Sequence, residues 1–187
     1  MGWIEDWGST PEERARPFPC DALVSDPNLV LFRAVDVGAP SALVFSWLCQ
    51  LKVAPYSYDW IDNLGHRSPQ VRDPANERLE SGMPLMAGLF RLASFDPGRH
   101  LTIAVAQTKI FGDLAITYQV LPAGDAASRL VVKLVSRLGR WSAMRLVLPL
   151  GDLIMMRRQL LNFRALAEQE HAAGHALHRP SSSKIHR

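Results

Sequence analysis

The sequence predicts an α+β domain in which antiparallel strands pack against one long C-terminal helix. Three observations point there. Between residues 85 and 137, apolar runs with two-residue alternation are separated by short turn signals. From about Gly151 to Ala173, apolar residues recur at helical spacing. The 187 residues, 48% of them hydrophobic, suit a single domain with a sizeable core.

Residues 1–28 read as an arm lying along the body. Thr10-Pro11-Glu12-Glu13 carries a helix start: Thr10 caps, Pro11 takes the first helical position, and Glu13 completes a capping box. Pro17 and Pro19 stop that helix early. The folded body is expected over residues 29–173. Leu29 to Val37, rich in β-branched and apolar residues, is its first strand. Pro40-Ser41 opens a helix with Leu43, Val44, Trp47, Leu48 and Leu51 on one face, ended by Pro55. An aromatic–acidic cluster, Tyr56-Ser57-Tyr58-Asp59-Trp60-Ile61-Asp62-Asn63, follows on a loop or short helix. Residues 66–82 are polar and weakly patterned.

Four strands come next, at Leu85–Phe95, Leu101–Gln107, Leu114–Leu121 and Leu130–Arg137. Their separators are Asp96-Pro97-Gly98, Phe111-Gly112-Asp113 and Pro122-Ala123-Gly124-Asp125. Connections this short favour an antiparallel meander. Alternation puts Phe90 and Leu92 inward, as it does Leu101, Ile103 and Val105. Ile116, Tyr118 and Val120 share an inward face, and so do Leu130, Val132 and Leu134. The final helix carries a stripe of Leu153, Met156 and Leu160 continuing to Phe163 or Ala167, and Gly174 marks its expected end. Residues 174–187 have little apolar surface and are expected to be a disordered tail. The helix must bury its stripe, and the concave sheet face is the nearest apolar surface. A curved sheet holding one helix leaves a cavity between them.

Composition excludes several classes. A net charge of +3 with no concentrated basic face does not suit nucleic-acid binding. No stretch reaches the length of a membrane span, and the acidic N-terminal residues lack a signal-peptide core, so a cytoplasmic location is expected. Cys20 and Cys49 are far apart, without disulfide or zinc spacing. Phosphate loops, dinucleotide fingerprints and hydrolase elbows are missing, and no cofactor is expected. His171, His175 and His178 have a helical ligand spacing, but they straddle the expected helix end, and no metal site is expected there.

The order of elements and several short segments resemble the START-like SRPBCC superfamily, which includes polyketide cyclases/dehydrases and lipid-transport domains. The likeness is to a bacterial branch of unassigned function. It rests on Val35-Asp36-Val37-Gly38-Ala39-Pro40 leading into Val44-Phe45-Ser46-Trp47-Leu48, and on Tyr56-Ser57-Tyr58-Asp59. Ser128-Arg129-Leu130, the run from Met156 through Leu160-Leu161 to Ala167-Glu168, and the arm segment Trp7 to Glu13 complete it. It covers roughly residues 3–170. Ala54-Pro55 stands where glycine–tryptophan is expected in that branch. The resemblance implies a helix-grip fold, an antiparallel sheet wrapped around the last helix. It implies no shared catalytic set.

The expected lining is Phe90, Ile103, Val105, Gln107, Ile116, Tyr118 and Val132 from the strands, with Leu153, Met156 and Leu160 from the helix. Tyr56, Tyr58, Asp59 and Trp60 form the expected mouth, or else a local core with acids capping a turn. Met83, Met86, Met144, Met155 and Met156 suit adaptable apolar lining or ordinary core filling. Tyr118 needs a partner for its hydroxyl, from a ligand, water or backbone. Arg129 is read as a bridge to an acid such as Asp59 or Asp113, or as a holder of a ligand carboxylate. Three functions remain open. The first is binding of a small, lipid- or polyketide-like apolar molecule. The second is a cyclase- or dehydratase-like enzyme using Tyr118 or Asp59 as acid or base. The third is a protein-interaction module whose arm or arginine-rich helix face docks a partner.

Overall fold

The computed structural model describes residues 4–58, 60, 65–106, 112–138 and 144–178, with side chains of the last helix from 148 to 174. The elements run β1 (Asp6–Trp7), α1 (Pro11–Arg14), β2 (Leu29–Val37), α2 (Ser41–Leu48), β3 (Pro84–Leu85), β4 (Phe90–Asp96), β5 (His100–Val105), β6 (Asp113–Pro122), β7 (Ser128–Arg137) and α3 (Met144–His178). Short 3-10 turns lie at Pro19–Ala22, Cys49–Lys52 and Pro74–Glu77. The strands form one curved, unclosed sheet in the order β1-β2-β7-β6-β5-β4-β3. All pairings are antiparallel except β1 with β2. A bulge between Leu92 and Ser94, where β4 slips against β5, adds local bend. The architecture is the helix grip: the sheet curls around α3.

Strand alternation sorts the two faces. Leu92, Leu101, Ile103, Ile116, Tyr118, Val120, Leu130, Val132 and Leu134 are buried on the concave side. There they meet Val44 and Trp47 of α2 and Met156, Leu160, Phe163 and Leu166 of α3. The convex side has its own smaller core, in which Phe18, Cys20 and Val24 of the arm cover Phe32, Ala34, Ala115, Val131 and Val135. Lys133 lies 5.4 Å from the ring centres of both Phe18 and Phe32 and 2.6 Å from Asp21.

The arm is fastened at several points. The Thr10–Glu13 capping box forms, and Glu13 also receives Arg129 at 2.8 and 3.1 Å. Gly8 has φ +81°, and a Cβ there would sit 2.4 Å from the Ala34 carbonyl, so only glycine lets the arm approach β2 this closely. Arg129 is therefore a structural bridge, and among the described residues its acids are Glu13 and Asp36 rather than Asp113; Asp59 lies outside the described residues. It projects from the convex face, because it alternates with Leu130 along β7.

Two expected elements differ. Leu85–Phe95 is two strands, not one. Met86, Ala87 and Gly88 all have positive φ, which turns the chain sharply between β3 and β4. The last helix begins at Met144, seven residues before the expected start, and includes Pro149. It also runs through Gly174 to His178. One glycine costs a helix interior only about 1 kcal/mol, which does not suffice to end it.

Ile103 is the cleanest probe of the concave face. It is fully buried, and its cross-strand neighbours are Leu92 and Ile116. Ile103→Asp should lower stability by about 3 kcal/mol or more, read by urea unfolding. An unchanged midpoint would place Ile103 elsewhere. Val132 is less suited, since its partner across β2 and β7 is Arg33, which would compensate an introduced carboxylate.

Candidate functional site

A cavity of about 300 Å³ lies between the sheet and α3. That is at the lower end of the range for small-molecule sites. Its sheet wall is Phe90 of β4, Val105 of β5, Leu114, Ile116 and Tyr118 of β6, and Leu134 of β7. Met86 and Leu89 of the β3–β4 turn and Pro55 and Ser57 after α2 form its loop wall. Helix α3 contributes Leu148, Gly151, Asp152, Met155, Met156 and Gln159. Those helix positions follow a three- and four-residue rhythm, so one face of α3 looks into the cavity.

Among the described residues, the polar side chains on this wall are Ser57, Tyr118, Asp152 and Gln159. The Tyr118 hydroxyl donates to Gln159 Oε1 at 2.8 Å. Gln159 Nε2 in turn donates to the Pro55 carbonyl. Asn162, one helical turn on, donates to the Tyr56 carbonyl at 2.8 Å. Helix α3 thus holds the 55–56 segment by its backbone, and Tyr56 adopts φ +58° there. Burial pushes the Tyr118 hydroxyl well above its ordinary pKa, and the nearby Asp152 carboxylate adds to the shift.

Asp152 is the charged group on the wall. Its Oδ2 lies 2.8 Å from an Arg33 guanidinium nitrogen, and both side chains are almost wholly buried. Arg33 sits on the concave face of β2, between Leu31 and Val35 in the alternation. Its Nη1 donates to the carbonyls of Glu5 and Phe32, and its Nη2 donates to that of Ile4. Burial raises the Asp152 carboxyl to about 6, and Arg33 offsets part of that rise. Asp152 Oδ2 accepts no hydrogen bond, and Arg33 Nε makes none, among the described residues. At 2.8 Å the two groups form a close ion pair.

Of the expected lining, Phe90, Val105, Ile116, Tyr118 and Met156 border the cavity. Ile103, Val132 and Leu160 are buried in the adjoining core and do not border it. Leu153 is buried as well, but the cavity-facing stripe of α3 runs through Asp152, Met155 and Gln159, rotated from the purely apolar stripe. The expected mouth separates. Tyr56 turns into the core against Trp47 and Phe163, with ring centres 6.3 and 5.1 Å away. Tyr58 lies beneath the Arg158 guanidinium at 5.9 Å, and Trp60 is 75% exposed. Asp59 and Gln107 lie outside the described residues, as do the side chains of His175 and His178. Met86, Met155 and Met156, all suited to adaptable lining, do border the cavity.

Sequence reasoning missed Asp152, Gln159 and Arg33. Each carried a signal. Arg33 interrupts the inward parity of a strand, and Asp152 and Gln159 fall seven apart on the helix face that also carries Met155 and Met156. A polar residue at a core-facing position is the informative exception.

No helix among the described residues is long and apolar enough to cross a membrane. No family model and no curated protein matches the chain. Solved structures do. A START superfamily protein from Mycobacterium smegmatis aligns at 15% identity over 75% of this chain and 98% of its own, with a TM-score of 0.49. Protein MLL2253 from Mesorhizobium loti aligns at 9% identity over 75% and 97%, with a TM-score of 0.50. The di-domain ARO/CYC BexL from the BE-7585A biosynthetic pathway aligns at 13% identity over 74% of this chain, with a TM-score of 0.50. This chain spans 46% of that protein's length. At such identities the likeness is one of fold, the helix grip.

Proposed function

We propose that this START-like helix-grip chain binds one small, largely apolar molecule between the sheet and α3. The observation that carries the reading is the cavity wall itself. Strand, helix and turn residues surround about 300 Å³ with apolar side chains, while its few polar groups gather around Tyr118, Asp152 and Gln159. Apolar burial would hold the ligand, and that polar group would orient it. Two of the flexible methionines on α3, Met155 and Met156, suit a wall that adapts to its contents.

The test is uptake of a neutral apolar dye, Nile red, followed by fluorescence. Wild-type protein should take up the dye saturably. Met155→Trp places a larger side chain at a half-buried lining position and should weaken uptake at least tenfold with little change in melting temperature. Absence of dye uptake by the wild type, or equal uptake by the variant, would contradict the reading. Native mass spectrometry of protein purified gently from cells then asks which molecule it carries.

A second reading is acid–base turnover of an apolar substrate. Asp152 favours it, because a carboxyl near 6 in a cavity can serve as acid or base around neutral pH. Tyr118 suits that role less. Its proton is held tightly and its hydroxyl is committed to Gln159. Turnover of a polyketide-like substrate, lost in Asp152→Asn while binding persists, would move the assignment to an enzyme.

A further inference from the structure

We propose that Asp152 receives a hydroxyl of the bound molecule, so that the cavity selects neutral hydroxylated apolar ligands over the corresponding carboxylates. This rests on the cavity being a ligand site and names the class of ligand.

At the polar end of the cavity most hydrogen-bonding groups are already committed to one another. The Tyr118 proton goes to Gln159 Oε1, and the Gln159 amide donates to the Pro55 carbonyl. Arg33 is held behind the wall by the carbonyls of Ile4, Glu5 and Phe32 and does not itself border the cavity. Its guanidinium therefore cannot swing forward to meet a ligand carboxylate without breaking those bonds. Asp152 does border the cavity, and its Oδ2 faces the Arg33 charge at 2.8 Å. A carboxylate has about four acceptor sites, so one facing Arg33 keeps capacity for a donor brought in by the cavity's occupant.

The wall thus presents the acidic side of a charge pair whose net charge is zero. A ligand hydroxyl can donate to Asp152 and add no charge. A pure hydrocarbon fills the space but leaves the acceptor unmet. A carboxylate brings a second negative charge against Asp152 in a medium of low dielectric, where like charges repel strongly.

The experiment compares naphthalene, 2-naphthol and 2-naphthoate at pH 7.5 by titration calorimetry on the full chain. The three share one ring system and differ in the group offered to the wall. Expected is binding of naphthalene, binding of 2-naphthol about tenfold tighter, and binding of 2-naphthoate at least tenfold weaker than naphthalene. Equal affinity for naphthalene and 2-naphthol, or tighter binding of 2-naphthoate, overturns the hydroxyl assignment and leaves the cavity reading intact. Failure of all three to bind overturns the cavity reading and this inference with it. The double variant Arg33→Met/Asp152→Leu removes both charges together and should bring the ratio of 2-naphthol to naphthalene affinity close to one, whatever its absolute affinity for either. A preference retained in that variant also overturns the assignment. The wild-type series decides alone if the variant does not fold.

Discussion

Truncation after Arg145 is expected to abolish cooperative folding. It removes Met156, Leu160, Phe163 and Leu166, which pack into the concave core, and Leu153, which is buried beside them. Burial of such side chains contributes about 1.5–3 kcal/mol each. Together they match the whole net stability of an ordinary domain, about 5–15 kcal/mol. The sheet would also lose its cover, exposing Leu92, Ile103, Ile116 and Leu134 to water. Circular dichroism should show a broad, non-cooperative melt, with strong binding of a dye that reports exposed apolar surface. A single sharp transition in the truncated chain would mean that α3 is not the element the sheet grips. Removal of residues 175–187 is the matched control. Among the described side chains of α3 the last buried one is Ala167, and residues 172–174 are exposed, so the loss should stay under about 0.5 kcal/mol.

Asp152→Ala is expected to cost about 3–5 kcal/mol, because it leaves the Arg33 guanidinium buried without its counter-charge. Arg33→Met/Asp152→Leu, by contrast, should be neutral or more stable than wild type. Removing both charges removes the desolvation cost of each. The pair's pH dependence points the same way. Burial raises the Asp152 carboxyl from its ordinary 3.8 to about 6, so the folded chain binds this proton more tightly than the unfolded one. Its contribution to stability is then full below about pH 4 and is lost as pH rises through about 6. Urea titrations at pH 4.5 and 7.5 should show wild type losing stability, on the order of 2 kcal/mol, relative to the double variant. A pair that stabilised the fold would show the opposite slope, and the double variant would then be the weaker protein.

How far the sequence reaches depends on the range of the interaction involved. Side-chain direction along a strand is local. Two-residue alternation therefore determined that Leu101, Ile103, Ile116, Tyr118, Leu130 and Val132 face the helix, and the span of β2 was legible to the residue. The capping box at Thr10 and Glu13 was equally legible, since three residues contain all of it. Backbone conformation at Met86 and Ala87 was not. Neither residue type announces positive φ, and the break between β3 and β4 followed from it.

The site lay further out of reach. Helical periodicity located the apolar stripe of α3, but the cavity faces a neighbouring stripe that includes Asp152 and Gln159. Which stripe meets empty space depends on how α3 rotates against a curved sheet, and no local pattern encodes that angle. Tyr56, open in the sequence between pocket mouth and local core, became core because α3 holds the carbonyls beside it, across a sequence separation of 104 residues for Gln159 and Pro55. Arg129 found Glu13 rather than Asp113 because the arm crosses the convex face. The sequence by itself determined the strands, their faces and the helix they enclose, because each of those follows from spacing along the chain. Only the tertiary structure decided where the cavity opens and that Arg33 meets Asp152 behind it. Buried polar groups take their partners from whatever the completed fold brings within about 3 Å, and that is a property of the packed whole.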